Sequence, residues 1–164
     1  MVSWLPAPLH RALLPLAHAV RHRWRRLRKA PIAGVSVILT NPAGEILLLK
    51  HSYGPDVWAL AGGGLGKGEN PADAVRREVR EELGIELEDL ADDWAPVAIM
   101  HEMISGSPHT AYVFAASTCQ QPSPDRREVI DARFFAAGHL PEKIGRTTAV
   151  RLAQWCAWRA SQQA

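Results

Sequence analysis

Residues Gly63–Ile85 read GGLGKGENPADAVRREVREELGI, a glycine-rich turn followed by a segment with the signals of an α-helix. Asn70 can cap this helix, Pro71 suits its first turn, and Gly84 can adopt the left-handed conformation that ends it. The sequence therefore predicts a helix over residues 71–83. One stripe of the predicted helix is apolar and can pack on a sheet; it consists of Ala72, Val75, Val79 and Leu83.

Three carboxylates share another side of this predicted helix. Glu78, Glu81 and Glu82 are related as i, i+3 and i+4, so at roughly 100° per residue they emerge close together. Like charges at this spacing repel one another, and a cation is the obvious compensating partner. Hard oxygen ligands without His or Cys favour Mg²⁺ or Mn²⁺ over zinc. The pattern predicts a divalent metal site, with an ordinary acidic surface helix as the alternative.

The same stretch fits the Nudix box, Gly-x5-Glu-x7-Arg-Glu-U-x-Glu-Glu-x-Gly-U, in which U is an aliphatic residue. Every specified position agrees: Gly63, Glu69, Arg77, Glu78, Val79, Glu81, Glu82, Gly84 and Ile85. The chain thus resembles the Nudix hydrolases, and the fixed spacing makes the match specific. The resemblance implies an α/β fold, an α/β/α sandwich with a mixed β-sheet. It also implies hydrolysis of a phosphoanhydride bond with Mg²⁺ or Mn²⁺.

The resemblance assigns roles to individual side chains of the box. Glu78 and Glu82 are expected to bind the metal, and Glu81 is expected to be a further ligand or the general base. Arg77 is expected to hold Glu69 and the start of the helix through an ion pair instead of contacting the substrate.

Two residues outside the helix complete the expected metal site. Gly62 precedes the box glycine, and in the family that residue lends its carbonyl oxygen to the metal. Glu128 stands six residues before Phe134, as a corresponding glutamate does in the mutation-avoidance members of the family. A solvated acid is the alternative interpretation of Glu128, and Glu102 is a second candidate for the same role.

In this fold the substrate is selected mainly by loops and side chains outside the specified positions of the box, so the residues responsible are harder to identify from the sequence. Aromatic and histidine side chains that could stack on a base or bond a sugar are Tyr53, Trp58, His101 and Tyr112, although each also suits a half-buried sheet position. The absent side chains of Gly63 and Gly64 would let the backbone approach a ligand. Lys67 can face phosphate, and His51 and His109 can do so when protonated.

The start of the chain differs in composition from the rest. Residues 1–44 contain seven of the 19 Lys and Arg residues and none of the 17 Asp and Glu residues. Apolar residues recur there at spacings of three and four, namely Leu9, Leu13, Leu16, Val20, Trp24 and Leu27. We therefore predict a basic amphipathic helical arm over residues 1–30 and a Nudix domain over residues 31–164. The arm suits weak contact with anionic lipid or nucleic acid, or packing on the domain with a solvated basic end.

Two cysteines, Cys119 and Cys156, are too few for a disulfide framework and lack metal-binding spacing. They favour a reducing compartment, the cytoplasm, and are expected to be buried. No apolar run approaches the ~18 residues needed to cross a bilayer. The basic cluster follows the apolar part of the arm, unlike in a secretory signal, while an organelle transit peptide stays open.

The remaining segments predict a sheet and a final helix. Val35–Thr40 and Ile46–Lys50 are β-rich runs joined by a turn-forming tetrapeptide, and they predict a hairpin. Pro96–Ile104, Thr110–Thr118 and Val129–Phe135 predict three more strands. The last segment predicts an amphipathic helix whose apolar face consists of Ala149, Leu152, Ala153, Cys156, Ala157 and Ala160.

Three functions from different classes follow. The first is a metal-dependent hydrolase that cleaves a nucleoside diphosphate linked to another group, or a nucleoside triphosphate. Within this class, the basic arm leaves open an RNA 5′-end pyrophosphohydrolase. The second is a non-catalytic nucleotide-binding or regulatory module, which an undegraded box disfavours. The third is an isoprenoid diphosphate isomerase, for which no suitable cysteine precedes the box. Dimers are frequent in the family, so a homodimer is possible.

Overall fold

A computed structural model describes residues 32–87, 94–104, 107–124 and 126–163. The predicted arm over residues 1–30 lies outside the described residues. The described residues form five strands and two helices, which are β1 (Ile32–Thr40), β2 (Ile46–His51), α1 (Pro71–Leu83), β3 (Ala98–Ile104), β4 (Ser107–Ser117), β5 (Val129–Phe135) and α2 (Arg146–Gln162). No helix among them is both long enough and apolar enough to span a membrane.

The strands form one mixed sheet in the order β3-β4-β1-β2-β5. β1 and β4 are parallel, and the other neighbouring pairs are antiparallel. The predicted hairpin of β1 and β2 is confirmed, with Thr40 opposite Ile46. Its turn is closed by Asn41, whose Nδ2 donates to Glu45 Oε2 at 2.7 Å and whose Oδ1 accepts from Glu45 N at 3.0 Å. The turn residue Gly44 has a φ of 76°, a conformation that glycine adopts without strain.

The two helices cover opposite faces of the sheet because side chains alternate along each strand. On one face, Val35, Val37, Leu47 and Leu49 pack with the apolar stripe of α1. On the other face, a second core joins strand residues to α2; it contains Ile38, Ile46, Leu48, Val113, Leu152 and Trp155. The predicted α/β/α sandwich with a mixed sheet is confirmed.

Helix α1 begins and ends where the sequence predicts. The Asn70 side chain accepts a hydrogen bond from Ala72 N at 2.8 Å, and Pro71 occupies the first turn. Gly84 has a φ of 64° and ends the helix by donating its N–H to Arg80 O at 3.0 Å. Each limit is therefore set by a local signal that acts within a few residues.

The predicted break between β3 and β4 is wrong in its extent. β4 begins at Ser107 and contains Pro108, which lies opposite Met103 of β3. In the described residues, β1 pairs with β4 only from His109 onward. Among the described residues, Pro108 therefore has a strand on one side only, and a proline is tolerated where its missing N–H is not needed for a second strand.

The predicted apolar face of α2 is also wrong, although the helix itself is confirmed. Thr148, Leu152 and Trp155 are its buried residues. The other members of the predicted face are exposed, and they are Ala149, Ala153, Cys156, Ala157 and Ala160. The observed orientation of α2 buries Trp155 instead of several alanines. A tryptophan side chain is larger than an alanine side chain, so its burial removes far more apolar surface from water. Cys119 is exposed as well, so neither cysteine is buried as expected.

Candidate active site

The glycine turn is fixed against β1. β1 and β2 pair only near their hairpin, and the segment from Ala59 to Gly64 adds bridges farther along, with Leu49 opposite Ala59 and Val37 opposite Ala61. Val35 N donates to Gly63 O at 2.9 Å, and Gly63 N donates to Val35 O at 3.1 Å. These backbone bonds extend the sheet and fix the position of the turn alongside β1.

Two glycines in this turn are in close contact with neighbouring groups. Gly62 has a φ of 149°, and a Cβ there would overlap the carbonyl oxygen of Val35. A Cβ on Gly63 would overlap the carboxylate of Glu78. The turn therefore touches β1 on one side and the acidic face of α1 on the other.

Glu78 and Glu82 reach from α1 to the turn. Glu82 Oε2 accepts a hydrogen bond from Gly62 N at 2.9 Å, and the Glu82 side chain is only 9% exposed. The Glu78 side chain is 14% exposed and lies beside Gly63. Glu81, by contrast, lies toward solvent with 37% of its side chain exposed. The structure thus brings one buried, one half-buried and one exposed carboxylate to the same end of the turn.

Arg77 joins the turn, the start of α1 and the carboxylates. Its Nε donates to Glu69 Oε1 at 2.9 Å, and its Nη2 donates to Gly64 O at 3.2 Å. Its Nη1 donates to Glu78 Oε1 at 2.6 Å and lies 3.8 Å from Glu81 Oε2. The hydrogen bond from Arg77 holds the pKa of Glu69 below its usual range, with help from the Gly66 N–H. Arg77 therefore pairs with Glu69 and also positions Glu78 directly.

Burial dominates the electrostatics of the two inner carboxylates. It raises the pKa of Glu82 to about 8, although the Gly62 N–H opposes this, and the charges of Glu78, Glu128 and Glu81 add to the rise. Burial also raises the pKa of Glu78, against the lowering effect of Arg77. These carboxylates are costly to ionise together unless a cation lies nearby.

The donor chemistry fits a hard divalent cation. Carboxylate and carbonyl oxygens are the ligands that Mg²⁺ and Mn²⁺ prefer. Among the described residues, no three acidic, histidine or cysteine side chains already share a geometry that could hold a metal ion. Glu78 Oε1 accepts from Arg77 and Glu82 Oε2 accepts from Gly62 N, so one oxygen of each carboxylate already has a protein donor.

The structure separates the two further acidic candidates. Glu128 is exposed just before β5, and its backbone carbonyl accepts from Ser52 N at 2.7 Å. Its charge raises the pKa of both Glu78 and Glu82, so it belongs to the same electrostatic cluster. Glu102 lies elsewhere, on β3, where Arg151 of α2 donates to it at 3.2 Å.

The substrate candidates are also dispersed. His51 Nε2 lies 3.8 Å from Glu82 Oε1, so His51 borders the carboxylates, and the ring of Tyr53 lies 5.2 Å from the ring of His51. Trp58 is 8% exposed and packs edge-on against Phe135 in the core beside α2. His101 is exposed on β3, Lys67 is exposed in the turn and Tyr112 is half-buried on β4.

A cleft of about 210 Å³ lies on the α2 side of the glycine turn. Gly62 and Gly63 form one part of its lining, so the turn separates the cleft from the carboxylates of α1. Ser36 and Arg151 also line it, and sequence reasoning missed both. No spacing links two residues that are 115 positions apart in the chain, so only the fold reveals them.

A family model described as the NUDIX domain matches residues 30–156, which include all five strands, α1 and the first part of α2. The chain belongs to the NUDIX family. The match places the box, the turn and the cleft inside one NUDIX domain.

Similar proteins agree with this assignment. An RNA pyrophosphohydrolase of Pseudomonas fluorescens (strain SBW25) is 43% identical over 56 residues, which are 34% of this chain and 35% of that protein. The match therefore spans about a third of the length of that curated relative. A MutT NUDIX hydrolase from Burkholderia pseudomallei superposes with a TM-score of 0.66 at 27% identity, over 76% of this chain and 98% of that one. An Ap4A hydrolase from C. elegans gives a TM-score of 0.62 at 20% identity, over 79% and 98% of the two chains, and supports the NUDIX fold alone.

The metal-free NUDIX domain is expected to lose stability as pH rises from 4.5 to about 8. Across this window the folded chain keeps a proton on Glu82 that the unfolded chain has released, so raising the pH favours unfolding. His51 acts in the opposite direction, because burial lowers its pKa and the unfolded chain holds its proton to higher pH. In the presence of EDTA, the melting temperature of Glu82→Gln should therefore decrease less steeply with rising pH than that of the wild type. Identical pH profiles would contradict the assigned burial of this charge.

Proposed function

We propose that this chain is a metal-dependent hydrolase that cleaves a phosphoanhydride bond. Its substrate is a nucleoside diphosphate linked to another group, or a nucleoside triphosphate. The observation that carries the proposal is the placement of the buried carboxylate of Glu82 and the half-buried carboxylate of Glu78 directly against the Gly62–Gly63 turn. Folding gains little from buried like charges at this position, whereas binding a divalent cation requires them.

A phosphoanhydride resists hydrolysis because its negative oxygens repel an attacking nucleophile. A divalent cation, when bound, supplies positive charge and lowers the pKa of a coordinated water. Glu78, Glu82, the Gly62 carbonyl and Glu128 are the groups that would hold the cation.

Glu81 is the carboxylate best placed to act as the base. It is the most exposed of the three on α1, and its contact with Arg77 is a long one of 3.8 Å. It therefore accepts the proton of the attacking water while the bridging oxygen leaves with the departing phosphate group. Arg77, paired with Glu69, holds α1 against the turn and so fixes the position of the carboxylates relative to the substrate.

A panel of nucleotides tests the proposal. Nucleoside triphosphates and nucleoside diphosphates with a second linked group would be assayed with Mg²⁺, with Mn²⁺ and with EDTA. At least one compound should be hydrolysed with metal and none with EDTA, and ¹⁸O from labelled water should appear in one phosphate product. The absence of turnover across the panel, or turnover that survives EDTA, would refute the proposal.

A second candidate function is an RNA 5′-end pyrophosphohydrolase. It is supported by the relatives that carry this name and by the concentration of Lys and Arg in residues 1–44. Contact of such a segment with a nucleic-acid backbone gives binding that weakens steeply with salt.

Deletion of residues 1–30 is expected to abolish most of the salt-dependent binding of 5′-triphosphorylated RNA. Fluorescence anisotropy at about 50 and 200 mM salt would compare the full chain with the deletion, and a drop of ~10-fold or more at low salt is expected. Binding that survives the deletion unchanged argues against this function. Vesicles of anionic lipid would show whether the same residues prefer a membrane surface.

A homodimer and a cytoplasmic location remain predictions.

A further inference from the structure

The outer face of α2, which is directed away from the sheet, carries no charged side chain over most of its length. We define this face by the exposed positions of α2 between residues 147 and 158, which are Thr147, Ala149, Val150, Ala153, Gln154, Cys156, Ala157 and Trp158. The two large apolar residues among them, Val150 and Trp158, are 42% and 38% exposed. Arg151 is the charged residue within this span, and it is half-buried and donates to Ser36 of β1 at 2.7 Å.

This composition is unusual for a helix that covers one side of a sheet. Such a helix normally presents charged residues to solvent, and a helix that is apolar all round is normally covered on all sides. α2 already packs on the sheet through Leu152 and Trp155, and its outer face is a second apolar surface. A contiguous exposed apolar surface marks a site of interaction. We therefore expect another segment or molecule to cover the outer face.

The predicted arm over residues 1–30 has an apolar stripe that matches this face. After Pro15, the stripe consists of Leu16, Val20, Trp24 and Leu27. At roughly 100° and 1.5 Å per residue, these side chains lie within about 80° of one another and extend along about 17 Å of helix. A stripe this narrow suits contact with one other helix. The small side chains of α2 from Ala149 to Ala160 extend along the same length, and they let a helix with large side chains approach closely.

The arm joins the domain at the first turns of α2. β1 begins at Ile32, directly after the arm, and Ile32 lies opposite His109 of β4. His109 lines the same cleft as Thr147 and Thr148, which belong to the first turn of α2. The chain from Leu27 to Ile32 can span at most about 18 Å. The last part of the stripe is therefore held near the beginning of α2.

This connection determines the direction of the arm relative to α2. An arm that ends near the beginning of α2 and follows its outer face runs antiparallel to it. If Leu27 lies beside Ala149, equal spacing along two antiparallel helices sets Val20 beside Cys156. The two stripes then face each other along their whole length.

Size and charge favour the arm over a second copy of the chain. A strip of helix about 17 Å long and about 10 Å wide offers ~200 Å², whereas a stable dimer buries ~800 Å² per partner. A segment of the same chain needs less contact area, because its effective concentration at the face is on the order of millimolar. α2 contains no Asp or Glu, so the basic residues of the arm gain nothing by facing it. Arg25 and Lys29 project away from the stripe at roughly 100° per residue.

We propose that the second half of the arm docks as a helix on the outer face of α2, antiparallel to it and with the apolar stripe inward. The docked arm covers the exposed apolar surface of α2 and leaves its basic side chains in solvent. The proposal is independent of the proposed function, because docking requires neither metal nor nucleotide. It is compatible with contact between the basic side chains and RNA.

A disulfide across the proposed interface tests the docking in the full-length chain. Cys119→Ser leaves Cys156 as the single thiol, and Val20→Cys adds a second thiol on the stripe. Mild oxidation should join residues 20 and 156 within one chain, as shown by peptide mass mapping. Arg25→Cys, on the other side of the predicted helix, is the matched control and should form its disulfide about 10-fold more slowly or not at all. A mixture of ¹⁵N-labelled and unlabelled protein distinguishes links within one chain from links between two.

The reactivity of Cys156 gives a second readout without an added cysteine. The full-length wild type would be labelled with N-ethylmaleimide, and the rate at each cysteine followed by mass spectrometry. Val20→Asp combined with Trp24→Asp introduces charge into the stripe and should release the arm, so Cys156 should react about 10-fold or more faster than in the wild type. The rate at Cys119, which is exposed outside α2, should change less than about twofold. Arg25→Asp should leave both rates near those of the wild type.

Four results would overturn the proposal. Equal reactivity of Cys156 in the wild type and the double variant would show that the arm does not cover the face. Equal rates of disulfide formation from positions 20 and 25 would show that the stripe is not the docked side. A disulfide found only between differently labelled chains would assign the face to a second copy. Protection of Cys156 that appears only with vesicles of anionic lipid would assign it to a membrane surface.

Discussion

Glu82→Gln is expected to lower kcat by about 10³-fold or more while leaving the fold intact. Glu82 is buried against the turn and accepts from Gly62 N at 2.9 Å, so an amide of the same shape can stay in place. The substitution removes one negative charge from the group of carboxylates that would hold the cation. Because burial already opposes ionisation of Glu82, loss of this charge should not destabilise the metal-free protein.

The measurement is steady-state hydrolysis of the best nucleotide substrate with Mg²⁺, together with thermal unfolding of both proteins. Glu142→Gln is a suitable control, because Glu142 is exposed and lies between β5 and α2, outside the Nudix box. The control should match the wild type. Wild-type turnover by Glu82→Gln would remove Glu82 from the metal site.

Gly63→Ala is expected to lower kcat/KM about 100-fold with little loss of stability. The added Cβ would overlap the Glu78 carboxylate, which must then move away from the turn. The cost to folding should be small, because the overlapping atoms are the far end of a flexible side chain. The cost to activity should be large, because Glu78 is an expected ligand of the cation.

Gly138→Ala is the matched control for the glycine substitution. Gly138 is exposed in the turn after β5, and a Cβ there would meet no atom of the described residues within 4 Å. Activity and melting temperature should both stay near those of the wild type. If Gly63→Ala keeps full activity, the position of Glu78 beneath the turn is not important for catalysis.

Local signals explain which parts of the fold were predictable. The limits of α1 depend on Asn70, Pro71 and Gly84, and each acts within a few residues of the helix end. The final strand was predicted with its observed limits, Val129–Phe135, because β-rich and turn-forming residues delimit it. The buried face of α2 was not predictable in this way, since it depends on how Trp155 fits the sheet.

The candidate site also has features that the sequence predicts and features that only the folded structure reveals. The spacing of the box predicts the shared side of Glu78, Glu81 and Glu82, and Arg77 pairs with Glu69 as the resemblance implies. The direct bond from Arg77 to Glu78 and the fit of Gly63 over Glu78 depend on the docking of the turn on α1. The cleft behind the turn depends on Ser36 and Arg151, which meet only when β1 and α2 pack together.

The central claim is that the carboxylates of α1 hold a divalent cation beside the glycine turn. Equilibrium binding of Mn²⁺, followed by the electron paramagnetic resonance of the free ion, tests it without substrate or turnover. The wild type and Glu142→Gln should bind Mn²⁺ with equal affinity, and Glu78→Gln and Glu82→Gln should each bind at least 10-fold more weakly. Equal Mn²⁺ affinity in all four proteins, or no binding by the wild type, would contradict the claim.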